Sequence, residues 1–280
     1  MTTPMTVREL SEDELRRLRE LATGIAIAAG DLILDTIAES GRALLRRDAH
    51  TKSSRTDLAT EADRRSEALI RDAIGEARPH DAILGEEGGH VAGSSGFTWV
   101  VDPLDGTTNF VYGFPAWSVS IALCDPSGAA IIGVVRDPER RETFSAMRGL
   151  GAEVDGRPLR IAPAAPLAES LVGTGFGYAP ERRAAQAALL PAVLPAVRDI
   201  RRAGSAALDL CWLAAARLDA FYEAGLNPWD SAAGLLVAEE AGCASTTLGG
   251  LSDGADALVV AAPERLDELV ALLSQAADGR

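Results

Sequence analysis

A short acidic segment in the first half of the chain carries residue types that suit a cation site. Residues 102–109 read Asp-Pro-Leu-Asp-Gly-Thr-Thr-Asn and follow an apolar run that is typical of a strand. The three-residue spacing lets the carboxylates of Asp102 and Asp105 and the carbonyl of Leu104 converge on one point. Oxygen donors without Cys or His are the ligands that Mg²⁺ and similar hard ions prefer. The alternative is an Asp-rich turn that makes only local hydrogen bonds.

The residues that follow Asp105 add the features of an anion site to the same segment. Gly106 lets backbone N–H groups approach a ligand closely. Thr107 is predicted to begin a short helix, whose first N–H groups would face a phosphate. The sequence therefore places candidate metal ligands, a turn and a predicted helix start that could bind an anion one after another. This order favours a site for a metal and a phosphate over a solvated turn.

Two further segments place acids at the ends of predicted elements. Glu86 and Glu87 follow the apolar run Ile83–Gly85, and Asp230 lies at the start of an apolar helical pattern. Solvated loop acids are the alternative for the first segment, and an ordinary helix cap is the alternative for the second. Both segments are natural complements to the acids of residues 102–109.

The charge balance argues against one class of partner. The chain has 27 basic and 41 acidic residues, which gives a net charge of −14. A protein that binds a nucleic-acid backbone presents clustered Lys and Arg, so no nucleic-acid partner is expected. A small phosphate ester remains compatible with this acidic chain, because a few acids can recruit the cations that bind it.

Other nucleotide and nucleophile motifs are incomplete. Residues 173–177 read Gly-Thr-Gly-Phe-Gly, but the third glycine comes one residue early for a dinucleotide fingerprint. Pro180 also lies where the helix of that motif should already be running. No GxxxxGK[ST] sequence occurs, and three histidines leave little material for a zinc site or a Ser-His-Asp triad.

Targeting signals are likewise not evident in the sequence. The N-terminus has no apolar signal core. The most apolar helical stretch, residues 21–38, is interrupted by Asp31 and Asp35, so no membrane partner is expected. Three separated cysteines form no disulfide framework. We therefore expect a cytoplasmic location.

Hydrophobic periodicity predicts the elements that must position the candidate residues. Ser11 and Glu14 form a capping-box pattern ahead of a long helix. Residues 1–155 are expected to form an α+β half that carries most of the candidate metal ligands. Residues 156–280 are expected to form an α/β half that supplies the last candidate ligand, Asp230, and the substrate contacts, in one fused unit with the first. The other predicted elements are helix 58–77, strands 98–101, 118–123 and 131–135, a turn at 155–156, strand 171–172, helices 181–198 and 206–216, strand 218–224, helix 230–242, strand 258–260 and helix 264–275.

Four ordered motifs resemble the signatures of the inositol monophosphatase family. The resemblance covers about residues 15–275, and the stretch 173–223 is most similar to the bacterial inositol-1-phosphatases. It implies a layered αβαβα sandwich of the inositol monophosphatase and sugar phosphatase type. The motifs are the segment 102–109, Gly85-Glu86-Glu87, Trp229-Asp230-Ser-Ala-Ala-Gly, and Lys52-Ser-Ser-Arg-Thr-Asp57-Leu-Ala-Thr60-Glu-Ala-Asp63, where Ala59 replaces the family's valine.

The resemblance implies a phosphoric monoester hydrolase that uses Mg²⁺ and an activated water. By position, Glu86, Asp102 and the carbonyl of Leu104 would hold the first Mg²⁺. Asp102, Asp105 and Asp230 would hold the second, and Glu86 would help to hold a third ion. Two cations about 3.5–4 Å apart can stabilise the attacking and leaving oxygens of an in-line displacement.

The same resemblance implies catalytic roles for residues beside the ions. Thr107 and Asp63 would form a hydrogen-bonded pair that orients the attacking water near Glu86. The N–H groups of Gly106 and Thr107 would hold the phosphate, and Glu87 would support the metal site from its edge. Without the resemblance, Asp63 reads as an ordinary acid in the first turn of a helix.

Substrate contacts are implied for the second half of the chain. Glu223 would accept hydrogen bonds from sugar-ring hydroxyls, and Gly204, Ser205 and Ala206 would line the same side. Lys52 would lie in a mobile flap near the site, with a solvated lysine as the alternative.

These roles predict hydrolysis of myo-inositol 1-phosphate to inositol and phosphate, by a protein expected to be a homodimer. Histidinol-phosphate, fructose-1,6-bisphosphate and 3′-phosphoadenosine phosphatases share the metal motifs, so they remain alternatives. An alternative of another class is a regulatory protein that binds the transcription machinery.

Overall fold

The computed structural model describes residues 10–41, 49–51, 58–252 and 254–279 of the 280-residue chain. Within these ranges, the backbone forms a two-stranded β-pair, two larger sheets and the helices that cover them. The α-helices are α1 (Glu12–Ser40), α2 (Glu61–Ala77), α3 (Thr107–Tyr112), α4 (Pro180–Ala187), α5 (Leu190–Val193), α6 (Ala206–Ala214), α7 (Pro228–Ala241) and α8 (Pro263–Asp278).

The first half of the chain forms the small pair and an eight-stranded sheet. The order of the larger sheet is β10-β9-β8-β7-β6-β5-β3-β4, and β3 and β5 are its one parallel pair within the described residues. The strands are β1 (His50–Thr51), β2 (Leu58–Ala59), β3 (Ala82–Gly85), β4 (Gly89–Val91), β5 (Thr98–Asp105), β6 (Ser118–Cys124), β7 (Ala130–Asp137), β8 (Glu142–Met147), β9 (Gly151–Val154) and β10 (Arg157–Pro158).

The second half forms a five-stranded sheet of order β12-β11-β13-β15-β14. In this sheet β11 runs parallel to both of its neighbours, while β15 pairs antiparallel with β13 and β14. Its strands are β11 (Leu171–Thr174), β12 (Asp199–Arg201), β13 (Ala220–Ala224), β14 (Ala244–Ser252) and β15 (Ala255–Ala261).

Four apolar clusters arrange these elements in five layers. Helices α1 and α2 cover one face of the eight-stranded sheet, and α6 and α7 cover its other face. Helices α6 and α7 also cover one face of the five-stranded sheet, whose opposite face holds α5 and α8. This order confirms the predicted αβαβα sandwich and puts the start of α7, which carries Asp230, between the two sheets.

The long N-terminal helix begins at the predicted capping box. The Ser11 N–H donates to Glu14 Oε2 at 2.9 Å, and the Glu14 N–H donates to Ser11 Oγ at 3.3 Å. By length and composition alone, Glu12–Glu39 is long and apolar enough to cross a membrane. In the fold, however, its apolar face packs in the core while Asp31 and Asp35 are exposed. The buried apolar residues of this helix are Leu18, Ala22, Ile25, Ala26, Ala29 and Ile33.

Two helix predictions need correction. The helix predicted for 58–77 begins after Thr60, whose hydroxyl accepts a backbone N–H of the first turn at 3.1 Å. The single helix predicted for 181–198 is wrong, because this range breaks into α4, α5 and a 3₁₀ turn. Pro191 and Pro195 lack the N–H groups that a continuous helix needs, and their rings clash with the preceding turn.

Candidate functional site

A cavity of about 350 Å³ opens where the end of β5 meets α6, α7 and β13. Asp63, Glu87 and Ser205 are not among its lining residues, and Lys52 lies outside the described residues. The cavity nevertheless brings most of the expected site residues together. Those that line it are Glu86, Asp102, Leu104, Asp105, Gly106, Thr107, Gly204, Ala206, Glu223 and Asp230.

An irregular end of β5 brings its two acids to the cavity. Asp102 pairs with Ser120 of β6, and the pairing resumes only at Asp105 opposite Ser118. Within this irregularity, the Leu104 N–H donates to Asp102 Oδ1 at 3.0 Å. The regular alternation of the strand is therefore interrupted, and both acids and Leu104 line the same cavity.

Asp105 is held by the start of α6. Its Oδ2 accepts the hydroxyl hydrogen of Ser205 at 2.6 Å and the Ala207 N–H at 2.9 Å. The Leu208 N–H donates to Ser205 Oγ at 3.2 Å, so Ser205 also caps α6. The family resemblance implies a place for Ser205 on the substrate side; in the structure this residue is fully buried and its hydroxyl donates to Asp105.

The acids of the cavity raise one another's pKa. Burial raises the pKa of Asp102 well above its usual range, and the charges of Glu86, Asp105 and Asp230 raise it further. Burial also raises the pKa of Asp105 to about 7, and Asp230 adds to this effect, while hydrogen bonds from α6 oppose it. Such a cluster is unfavourable without a counter-charge, so the cavity is suited to a cation.

Asp230 reaches the cavity from the first turn of α7. The Asn227 N–H donates to Asp230 Oδ2 at 2.6 Å and closes the start of the helix. The Ser120 hydroxyl donates to the Trp229 carbonyl at 3.2 Å, which ties α7 to β6. An acid from the second half of the chain is thus positioned by the sheet of the first half.

A buried hydrogen-bonded group lies beside the acids. Asp63 Oδ2 accepts the N–H and the hydroxyl of Thr60 at 2.7 and 2.5 Å. Its Oδ1 lies 2.9 Å from Thr107 Oγ1, which is also 3.1 Å from the Leu104 carbonyl. The single hydroxyl hydrogen of Thr107 can donate to one of these acceptors at a time. The expected pairing of Asp63 and Thr107 is therefore present in the geometry.

A second buried acid of α2, which sequence analysis did not single out, holds the loop that carries Glu86. The Glu87 N–H donates to Glu67 Oε2 at 2.9 Å, and the Gly88 N–H donates to Glu67 Oε1 at 2.9 Å. Arg71 Nη1 pairs with the same carboxylate at 2.8 Å. Glu67 is 3% exposed, so these contacts are shielded from water.

Glu223 lies on β13 in the wall of the cavity and is half-buried. Burial raises its pKa to about 8, and the charge of Asp230 adds to this effect, while the nearby Arg202 guanidinium opposes it. Gly204, with φ of +96°, and the small Ala206 line the same cavity. One end of the cavity therefore has acids that could bind a cation, and the other has the Glu223 carboxyl group as a hydrogen-bonding group beside the small residues Gly204 and Ala206.

Comparison with known proteins decides the family. The model of the inositol monophosphatase family matches residues 14–278. The chain belongs to the inositol monophosphatase family. It is 45% identical over 282 residues to the inositol-1-monophosphatase SuhB of Mycobacterium tuberculosis, covering 94% of this chain and 96% of that protein. It is 42% identical over 240 residues to the Nus factor SuhB of Pseudomonas aeruginosa, covering 81% of this chain and 84% of that protein.

A solved structure shares the fold of this inositol monophosphatase family member. The extragenic suppressor protein suhB of Bartonella henselae superposes with a TM-score of 0.82 at 32% identity. The alignment covers 92% of this chain and 98% of that one. Sequence and structure therefore assign the chain to the same family of phosphatases.

The inositol monophosphatase family is generally metal-dependent, and the cavity has a donor set that fits this chemistry. Its acids and one backbone carbonyl offer only oxygen ligands, as hard cations require. Across the described residues, no three acidic, histidine or cysteine side chains already form a preassembled ion site.

Proposed function

We propose that this member of the inositol monophosphatase family uses Mg²⁺ to hydrolyse myo-inositol 1-phosphate to inositol and phosphate. The observation that carries the proposal is that one cavity gathers acids from three separate segments beside Glu223. The name inositol-1-monophosphatase of a relative at 45% identity supports the choice of substrate. In a small polyol phosphate, the phosphate suits the acidic end of the cavity once cations are bound, and the ring hydroxyls suit the end with Glu223.

Two principal ion positions would share the acids. We assign Glu86, Asp102 and the Leu104 carbonyl to the first Mg²⁺, and Asp102, Asp105 and Asp230 to the second, with Glu86 contributing to a third. When bound, these ions would supply a water of lowered pKa and positive charge for the phosphoryl oxygens. Burial and mutual repulsion both disfavour the charged form of these acids, and a bound cation would stabilise that form.

The chain's own groups would orient the reactants. With its hydroxyl hydrogen directed at Asp63, the Thr107 oxygen is left as an acceptor for a water near Glu86. The N–H groups of Gly106 and Thr107 would donate to the phosphate oxygens. Glu87 would support the acidic end of the cavity from its edge, since its loop is tied to α2.

The polyol side of the site is assigned to residues of the second half. Glu223 would accept hydrogen bonds from ring hydroxyls, and Gly204 and Ala206 would leave room for the ring. Ser205 would act indirectly, through its hydrogen bond to Asp105. The role of Lys52 in a flap stays a prediction from the sequence.

A panel of phosphate esters tests the proposal. Phosphate release from myo-inositol 1-phosphate, histidinol phosphate, fructose 1,6-bisphosphate, 3′-phosphoadenosine 5′-phosphate and an aryl phosphate would be measured with Mg²⁺ and with a chelator. We expect the highest kcat/KM for myo-inositol 1-phosphate and no release with the chelator. A higher kcat/KM for histidinol phosphate, fructose 1,6-bisphosphate or 3′-phosphoadenosine 5′-phosphate would identify the corresponding alternative phosphatase, and a higher value for the aryl phosphate would reject polyol specificity.

Glu223 can be tested separately from the phosphate chemistry. We expect Glu223→Ala to lower kcat/KM for myo-inositol 1-phosphate more than for an aryl phosphate, because only the first has ring hydroxyls. Equal losses on both substrates would reject its role as a reader of the polyol.

A second candidate function follows from the Nus factor SuhB relatives, of which one is 42% identical to this chain. It is a regulatory role in the transcription machinery, tested by pull-down with a catalytically inactive variant. For the main proposal we retain a cytoplasmic homodimer that needs neither nucleic acid nor membrane. Sedimentation of the purified chain would test the dimer.

A further inference from the structure

A glycine-alternating segment that the proposed mechanism does not use lies against the polyol side of the cavity. Residues 173–177 read Gly-Thr-Gly-Phe-Gly, and they form the end of β11 and the loop that follows it. Strand β11 is parallel to β13, with Thr174 opposite Tyr222. The next position along each strand therefore places Gly175 beside Glu223.

Gly175 has no room for a side chain because Glu223 already fills the space. A Cβ at Gly175 would lie 2.0–2.1 Å from three atoms of the Glu223 carboxylate group. Favourable carbon contacts lie near ~3.5–4.0 Å, so the carboxylate rests directly on the backbone of this segment. Gly175 does not have a positive φ, so the requirement for glycine here is one of space rather than of backbone conformation.

We propose that Gly175 is a specificity-determining position, which acts through Glu223 by letting its carboxylate lie flat against the end of β11. The inference rests on the proposed role of Glu223 as the reader of a polyol phosphate. A methyl group at Gly175 would push the carboxylate away from the strand. Because Glu223 lines the cavity, that movement changes the position from which it meets the ring hydroxyls.

The direction of that movement is limited on the strand side. The buried Asp209 lies over the same strand, with its Cγ 3.6 Å from where a Cβ on Gly173 would be. Glu223 itself lines the cavity, so we expect its displaced carboxylate to move into the space of the substrate.

Gly175→Ala and Gly173→Ala form a matched pair for the test. Gly173 lies on the same strand, and a Cβ there would meet Leu218 Cδ1 at 2.9 Å rather than Glu223. The full chain would be assayed with Mg²⁺ on myo-inositol 1-phosphate and on p-nitrophenyl phosphate, with thermal unfolding as the folding control. We expect Gly175→Ala to lower the ratio of the two kcat/KM values about tenfold, mainly through KM. Gly173→Ala should keep the wild-type ratio.

A double-mutant cycle separates action through Glu223 from general strain. Glu223→Ala alone should lower the ratio by a similar factor. Adding Gly175→Ala should lower it no further, because the Glu223 carboxylate no longer occupies the space that the new methyl group needs. Gly175→Ala combined with Glu223→Asp should recover part of the ratio, since the shorter side chain withdraws from the added methyl group.

The outcomes distinguish this inference from the proposed function. If Glu223→Ala leaves the ratio unchanged, the polyol role of Glu223 fails and the role of Gly175 fails with it. If Glu223→Ala lowers the ratio but Gly175→Ala does not, or if Gly173→Ala lowers it equally, only the role of Gly175 is overturned. If Gly175→Ala fails to fold, folding of its combination with Glu223→Ala supports the contact, whereas misfolding of both variants overturns the proposal.

Discussion

Asp102 and Asp105 are buried acids. At the scale of single residues, ionising them in the fold is unfavourable because they are removed from water and lie close to other acids. Burial and neighbouring acids raise both pKa values, and that of Asp105 reaches about 7 although Ser205 donates to it. Carboxylates in such surroundings are retained where they serve a ligand rather than the stability of the fold. A carboxamide of similar size should therefore spare the fold while removing the function.

We predict that Asp102→Asn or Asp230→Asn lowers Mg²⁺-dependent phosphate release by more than about 100-fold, because even residues that only support metal ligands typically cost ~10–100-fold. The circular dichroism spectrum should match that of the wild type. The unfolding temperature measured without Mg²⁺ should be equal to or higher than that of the wild type, since one acid of a mutually repelling cluster is removed. Asp72→Asn, at an exposed position of α2, is the matched control. Near-normal turnover of either site variant would contradict the assignment of these acids.

At the scale of elements, helix α2 connects the hydrogen-bonded pair of Asp63 and Thr107 to the loop of Glu86. Asp63 and Glu67 are four residues apart and lie on the buried face of α2 that also carries Ile70 and Ile74. The first acid meets Thr107, and the second accepts N–H groups from the loop between β3 and β4. One helix face therefore positions both groups beside the cavity.

Glu67→Ala should weaken the site by releasing that loop. We expect a ~10–100-fold loss of phosphate release at limiting Mg²⁺, largely recovered at high Mg²⁺, because the loop N–H groups lose their acceptor and Glu86 loses its position. Glu67→Gln should lie between wild type and alanine, since it keeps one acceptor oxygen. Glu61→Ala, which removes an exposed acid of the same helix paired with Arg64, is the control. A loss that high Mg²⁺ does not reduce would argue against this role.

At the scale of the whole molecule, the site depends on close packing of α7 between the two sheets. A Cβ at Gly133 of β7 would lie 2.6 Å from the Ala233 carbonyl of α7. On another side of the same helix, a Cβ at Gly234 would lie 2.9 Å from the Ala207 carbonyl of α6. Backbone meets backbone at both contacts, and the first of them joins the sheet of the first half to the helix of the second half that carries Asp230. We propose on this basis that residues 1–155 and 156–280 act as one fused unit.

Gly133→Ala tests this dependence from a position outside the cavity. We expect the free energy of unfolding to fall by about 1–3 kcal/mol, because the helix backbone must move. The Mg²⁺ concentration needed for half-maximal phosphate release should rise as Asp230 is displaced. Gly24→Ala, which has nothing within 4 Å of the added Cβ and lies in α1, should leave the metal requirement unchanged. If Gly133→Ala lowers the stability but leaves the Mg²⁺ requirement unchanged, the packing of α7 on β7 does not determine the position of Asp230.

The sequence predicts those parts of the site that have local cues. Glu86 and Asp102 could be found because they follow apolar strand patterns, and Asp230 because it begins an apolar helical pattern, whereas Glu223 was indicated only by the family resemblance. The layers follow from the periodicity of the helices and strands. Glu67 and Ser205 could not be assigned in this way, because their partners Glu87 and Asp105 are 20 and 100 residues distant in the chain. An acid on the apolar face of α2 was the available signal for Glu67.

We propose that the cavity acids make this protein a Mg²⁺-dependent phosphatase of a polyol phosphate. Phosphate release from myo-inositol 1-phosphate should be measured for the wild-type chain and for Asp102→Asn, each with Mg²⁺ and with a chelator. We expect release only by the wild-type chain with Mg²⁺. Release by the wild-type chain in the presence of the chelator, or equal release by the variant with Mg²⁺, would overturn the proposal that these acids bind the catalytic cation.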